Sequence, residues 1–111
     1  MEGAKELQVR LSKKFIIDLN EIYLYGVETF GLKQAKVYEN EIWQLVEALS
    51  HNYLLFPECR YLPTKSKMYR WIILDSHLVI YRITLHEVHV LQVIHASRAI
   101  NTIKSSRKIK I

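Results

Sequence analysis

From Leu7 to Ser12 apolar and polar residues alternate one by one, with Leu7, Val9 and Leu11 set against Gln8, Arg10 and Ser12. That period of two predicts a short strand with one buried face. The period then lengthens. Phe15, Leu19, Ile22, Gly26, Val27 and Phe30 recur at steps of three and four behind Ser12, a residue type suited to capping a helix, and Gly31 supplies a stop. A helix of about five turns is expected. A second helical pattern, Ala35, Tyr38, Ile42, Leu45 and Leu49, begins almost at once and leaves Glu39, Glu41 and Glu47 for solvated faces. So short a connection permits only an antiparallel hairpin of helices.

Pro57 and Pro63 bracket a segment that cannot stay helical. Beyond it Tyr69 to Leu74, Leu78 to Leu85 and Val88 to Ile94 are rich in Ile, Val, Tyr and Trp, and the breaks at Asp75-Ser76 and His86-Glu87 suit tight turns. These three runs predict an antiparallel meander. A last hairpin turning around His86 sets Tyr81 opposite Leu91, Val79 opposite Val93 and His77 opposite His95, which yields one apolar face; a slip of one residue would bring Gln92 into it. The expected fold is therefore α+β: an N-terminal strand, then an antiparallel helical hairpin packed on one face of an antiparallel sheet whose last three strands form the meander. The chain's 111 residues suffice for one core. A single domain is expected over residues 1–100. Residues 101–111, with Lys104, Arg107, Lys108 and Lys110 and no large apolar cluster, are expected to form a flexible basic tail unless a partner holds it.

Composition narrows the class. With 50% hydrophobic and 24% charged residues but three Gly and two Pro, the chain is neither collagen-like, low-complexity nor wholly disordered. Its longest apolar runs, such as Trp71 to Leu74 and Leu78 to Tyr81, are four residues, against roughly 18 for a membrane span. The opening Met1-Glu2-Gly3-Ala4-Lys5-Glu6 has neither the basic nor the apolar region of an export signal, so a cytoplasmic location is expected. Cys59 is the one cysteine, which excludes an intramolecular disulfide. Charge is polarised: residues 1–56 carry six Lys or Arg against eight Asp or Glu, and residues 57–111 carry ten against three. The basic half favours an acidic partner, either nucleic acid or an acidic protein segment.

One series of residues spans nearly the whole chain: Leu11-Ser12, Asp18-Leu19, Ile22 with Tyr25, Gly31, Ala35, Leu49, Pro57 and Arg60. It continues through Tyr69-Arg70, Val79-Ile80-Tyr81-Arg82-Ile83, Val88, Val90-Leu91, Val93 and His95 with Arg98. In this order, over residues 7–98, the chain resembles the ParE/RelE superfamily of bacterial toxins from type II toxin-antitoxin systems, and within it the ParE branch. Cys59 departs from the Gly that many members carry before the Arg. The resemblance implies a toxin neutralised by a cognate antitoxin encoded beside it, with operator DNA reached only through the antitoxin. It implies DNA gyrase as target, poisoned by binding while it holds cleaved DNA, with no cofactor. The alternative within the superfamily is a ribosome-dependent mRNA endonuclease of the RelE type, whose partners are the ribosome and its mRNA; a third is an inert member kept for its antitoxin complex.

On that resemblance Arg60, Arg70, Arg82, His95 and Arg98 are the candidate target-binding residues. Were the chain a nuclease, Arg70, Arg82, His95 and Arg98 would be its catalytic candidates, supplying cations for a charged phosphorane. Three departures weigh against that chemistry. Ile72 and Leu78 stand where RelE-type nucleases usually place basic residues, and residues 99–111 contain no tyrosine to follow the last strand. A metal site is not expected: on a regular strand His89 and His95 would share a face about 20 Å apart, too far for one ion. Cys59 lacks any surrounding signature of a nucleophile. Arg82 has a plain alternative as a side chain lying across the sheet's open face, and Trp43, Trp71 and Tyr38 as core residues.

Overall fold

A computed structural model describes residues 5–111, without the side chain of Ala99. Residues 1–4, part of the stretch read for an export signal, lie outside the described residues. The expected elements form in the expected order: β1 (Gln8–Leu11), α1 (Lys13–Phe30), α2 (Leu32–Glu47), α3 (Leu49–Asn52), β2 (Tyr69–Ile73), β3 (His77–Ile83) and β4 (Glu87–His95). Ser12 caps α1, its Oγ accepting from the Phe15 N–H at 2.9 Å. Gly31 separates the two long helices at φ 93°, ψ 163°, a conformation essentially reserved for glycine. Where the helices meet, a Cβ on Gly26 would stand 3.3 Å from that of Ala35. Leu49, expected on the second helix, instead opens the short α3 after a break at Ala48, and is fully buried there.

The sheet runs β1-β4-β3-β2. Strands β2 to β4 are the antiparallel meander, and β1 joins β4 in parallel, so the whole sheet is mixed. Phe15 and Leu19 of α1 and Ile42 and Val46 of α2 cover one face against Ile72, Val79, Tyr81, Val88, Val90 and Val93. Where β1 ends, α1 continues its work along β4. The Ser12 N–H donates to the Val90 carbonyl at 3.0 Å, the Ser12 hydroxyl to the Leu91 carbonyl at 2.6 Å, and the Asp18 carboxylate accepts the Val93 N–H at 3.1 Å. Asp18 is thus a buried acid with a backbone partner, and Lys14 pairs with it at 2.6 Å.

Two expectations need correction. The register holds at His77↔His95 and Val79↔Val93 but shifts between Ile80 and Tyr81, so Tyr81 faces Val90 rather than Leu91. The extra residue is a β-bulge: it turns both Leu91 and Gln92 away from the helices, and it also places His89 and His95 on opposite faces. The second correction concerns residues 101–111, which dock instead of forming a loose tail. After a 3₁₀ turn (Ala96–Arg98), α4 (Ala99–Thr102) leads into a 3₁₀ helix (Ile103–Lys108). Three residues per turn align Ile103, Ser106 and Ile109 on one side. Ile103 is fully buried in a second apolar cluster with Cys59, Leu62, Leu78, Ile80, Leu91 and Ile94, and Ile109 packs at its margin. Gln92, which is fully buried, donates to the Ser106 hydroxyl at 2.7 Å. Both faces of the sheet are therefore covered. Among the described residues no helix is long and apolar enough to cross a membrane.

Candidate functional site

Alternation along β3 sends Tyr81 to the helices and Arg82 to the opposite face. There Arg82 Nε and Nη2 lie 3.3 and 3.1 Å from His89 Nδ1, Nη1 lies 3.5 Å from the Tyr69 hydroxyl, and Nη2 donates to the Ile109 carbonyl at 3.2 Å. With Nδ1 accepting, the His89 proton sits on Nε2 and points at Glu87 Oε1, 2.8 Å away. That hydrogen bond, helped by Arg10 at 3.1 Å, holds the Glu87 carboxyl below the usual carboxylate range. Arg10, Glu87, His89 and Arg82 form one continuous chain of contacts that ends under the C-terminal segment. Arg82 is neither a free cation nor merely draped over an open face, because its three guanidinium nitrogens all have protein partners.

Arg70 faces the other way. Its Nη1 donates to the Phe56 carbonyl at 2.9 Å and the Leu54 carbonyl at 3.4 Å, and its Nε to the Lys67 carbonyl at 3.3 Å. This clamp holds both ends of the loop between α3 and β2, which also adds to the β2 edge: the Cys59 N–H reaches the Tyr69 carbonyl at 2.9 Å, and the Trp71 N–H the Pro57 carbonyl at 3.2 Å. Cys59, where a Gly was anticipated, is fully buried in this loop, and burial pushes its thiol pKa up, away from nucleophilic use. Arg60 is exposed on the same loop, with its guanidinium 5.1 Å from the Tyr61 ring centre, and Tyr61 meets Trp71 edge-on at 5.9 Å.

His95 stands at the far end of the sheet. Its Nδ1 accepts the Ser97 N–H at 3.1 Å, and its ring lies 5.2 Å from that of His77. His77 is hydrogen-bonded through Nδ1 to the Tyr38 hydroxyl at 2.8 Å. Burial, and then the neighbouring charge of His95, lower the His77 pKa, while burial raises that of Tyr38, so both shifts favour the neutral forms. Arg98 is exposed on the 3₁₀ turn behind them and forms no hydrogen bond or ion pair among the described residues. His77 and Arg82 are five residues apart on β3, about 17 Å at the rise of a strand. The five candidates are thus dispersed: Arg60 and Arg82 on the face away from the helices, Arg70 toward them, His95 and Arg98 at the opposite strand end. Among the described residues no three His, Cys, Asp or Glu cluster closely enough for a metal ion.

Sequence reasoning missed the Arg10–Glu87–His89 contacts and the part played by Arg107. That side chain donates to the Pro63 carbonyl at 3.2 Å and lies 5.3 Å from the Tyr69 ring centre, with Arg82 at 5.9 Å from the same ring. The spacing of Ile103, Ser106 and Ile109 is the one sequence signal that pointed to this docking.

Comparison with known proteins gives a consistent picture. The family described as the ParE toxin of the type II toxin-antitoxin system, parDE, matches residues 9–100. No curated protein matches the chain. Among solved structures, the chain is similar to one from the chromosomal ParDE toxin-antitoxin system of P. aeruginosa, with a TM-score of 0.67 and 18% identity over 83% of this chain and 98% of that one. It is also similar to one from the RelBE2 toxin-antitoxin complex of Mycobacterium tuberculosis, with a TM-score of 0.56 and 17% identity over 81% and 98% of the two chains.

Proposed function

The chain belongs to the ParE toxin family of type II toxin-antitoxin systems, and from that premise we propose that it arrests growth by binding DNA gyrase as a poison, and that a cognate antitoxin neutralises it. The observation that carries the choice of binding over cleavage is the dispersal of the cationic candidates. An in-line attack by an RNA 2′-hydroxyl needs an acid, a base and cations converging on one phosphate. Arg70 spends its donors on three backbone carbonyls and Arg82 on His89, Tyr69 and Ile109, on opposite faces of the sheet. His95 and Arg98 lie at the other strand end, too far away to join either. A binding interface has no such requirement, since its contacts act from separate places.

For the antitoxin, the outer side of α1 offers Ile17 and Leu24, both more than half exposed two turns apart, and the edge strand β2 offers Ile73 at 63% exposure. An amphipathic segment that folds on binding would cover such surfaces. The adjoining gene is the place to seek the cognate antitoxin, as the family resemblance implies.

The test runs both targets with the same purified protein. Gyrase supercoiling should be inhibited and gyrase-dependent DNA breaks should accumulate, while mRNA on translating ribosomes stays intact. Codon-specific cuts in ribosome-bound mRNA, lost in Arg82→Ala and Arg98→Ala, would replace gyrase poisoning with endonuclease action.

A further inference from the structure

The C-terminal segment carries a second pattern besides its buried row. In the 3₁₀ helix, Lys104 and Arg107 are one turn apart on the flank of Ile103 and Ser106, Lys108 lies beside them, and Lys110 follows; all four are exposed. Docking through Ile103 and Ser106 fixes this basic row on the sheet face that also carries Arg60. Arg107 ties the row to the loop by its bond to the Pro63 carbonyl. The ion pairs among the described residues are Arg10–Glu87, Lys14–Asp18, His51–Glu6 and His89–Glu87. None uses any of the ten Lys and Arg in residues 57–111, so no cation of this surface is held in an ion pair among the described residues. The segment also lies outside the family match, which ends at residue 100.

We propose that this face, Arg60 together with Lys104, Arg107, Lys108 and Lys110, is a binding surface for the phosphate backbone of duplex DNA. The inference deepens the gyrase reading and rests on it for its purpose, since the proposed target holds DNA. Two observations select a duplex. The aromatic rings of this face already have partners, Tyr69 in Arg82 and Arg107 and Tyr61 in Arg60 and Trp71, so a base that stacked here would have to compete with them. The apolar rows that would anchor an acidic peptide, Leu78, Ile80, Leu91 and Ile94, lie buried under the segment. What remains is exposed positive charge, which reads phosphate and not sequence.

The full chain alone, without gyrase, is titrated against a fluorescent 20-base-pair duplex of arbitrary sequence at several salt concentrations. With four to five phosphate contacts at a slope of about −0.9 each, affinity should fall roughly 150- to 500-fold between 50 and 200 mM salt. Replacing Lys104, Lys108 and Lys110 by Ala should reduce the slope by about 2 to 3, and replacing them by Arg should preserve it. The three lysines are exposed, so both variants should melt like the parent chain. The proposal is overturned if duplex binding is absent at 50 mM salt, if the triple Ala variant keeps the parent slope, or if single-stranded DNA or a poly-glutamate peptide binds more tightly than the duplex. Because gyrase is absent, failure here leaves gyrase poisoning standing, and loss of gyrase inhibition leaves duplex binding standing.

Discussion

Replacing Ile103 by alanine removes three carbons from a side chain with no exposed surface, packed among Cys59, Leu62, Leu78, Ile80, Leu91 and Ile94. At about 0.8 kcal/mol per buried methylene the transfer loss alone is about 2.4 kcal/mol. A residual cavity would raise it toward the upper end of the 2–5 kcal/mol seen for such truncations. With the neighbouring side chains relaxing partly into the space, the expected cost is about 2–3 kcal/mol. For a chain of this size, at about 4 °C per kcal/mol, the melting temperature should drop by about 8–12 °C. Ile100 is 67% exposed one turn upstream, and Ile100→Ala should change stability by about 0.5 kcal/mol or less. Urea melts of the two variants beside the parent chain measure the difference directly, and an unchanged slope with denaturant would show that the segment stays docked. If Ile103→Ala and Ile100→Ala cost the same, Ile103 does not anchor the C-terminal segment and the reasoning fails.

Asp18→Ala should cost about 1–3 kcal/mol, because the buried Val93 N–H then loses the Asp18 carboxylate as acceptor; amide exchange at Val93 should speed up together with the loss seen by denaturation. Gly31→Ala should cost about 1–3 kcal/mol although nothing stands within 4 Å of the new methyl, since the strain is in the backbone at φ 93°; a melt no different from the parent's would contradict this. Burial and the facing His95 lower the His77 pKa from 6.5, so below that value the unfolded chain binds more protons than the folded one. Stability should therefore hold above about pH 6.5 and decline as the pH falls through the lowered value. His77→Gln should flatten that decline in urea melts taken between pH 8 and pH 5.

The elements readable from the sequence are those with a sustained period. α1 has five turns of apolar spacing between a serine cap and a glycine stop, and both ends fall where those residues stand. The bulge at Leu91-Gln92 was not readable, because a strand buried on both faces carries no alternation for an inserted residue to interrupt. The docking of residues 103–111 rests on Ile103, Ser106 and Ile109, three positions at a spacing too brief to stand out among four cations. Arg70 and Arg82 were picked out as residues that carry charge to a target. Their partners are largely backbone carbonyls, at Leu54, Phe56, Lys67 and Ile109, and a carbonyl leaves no mark on a residue's identity. The parallel pairing of β1 with β4 was equally hidden, since both orientations present the same alternating face.

That pairing sets an order on the protein's own making. The Ser12 hydroxyl finds its acceptor at Leu91, 79 residues further along the chain, and β1 pairs only with β4. At the ribosome's pace of about 5–20 residues per second, the first strand waits roughly 4–16 s for its partner to be synthesised. Through that interval the helical hairpin can form on local contacts, but the sheet it must cover has no centre. A truncated translation product that stops before β4 lacks the strand joining β1 to the rest, together with the segment that covers the other face. Synthesis of β4 is thus the event that lets the sheet close around its centre, and a product that stops before it has β1 without its partner.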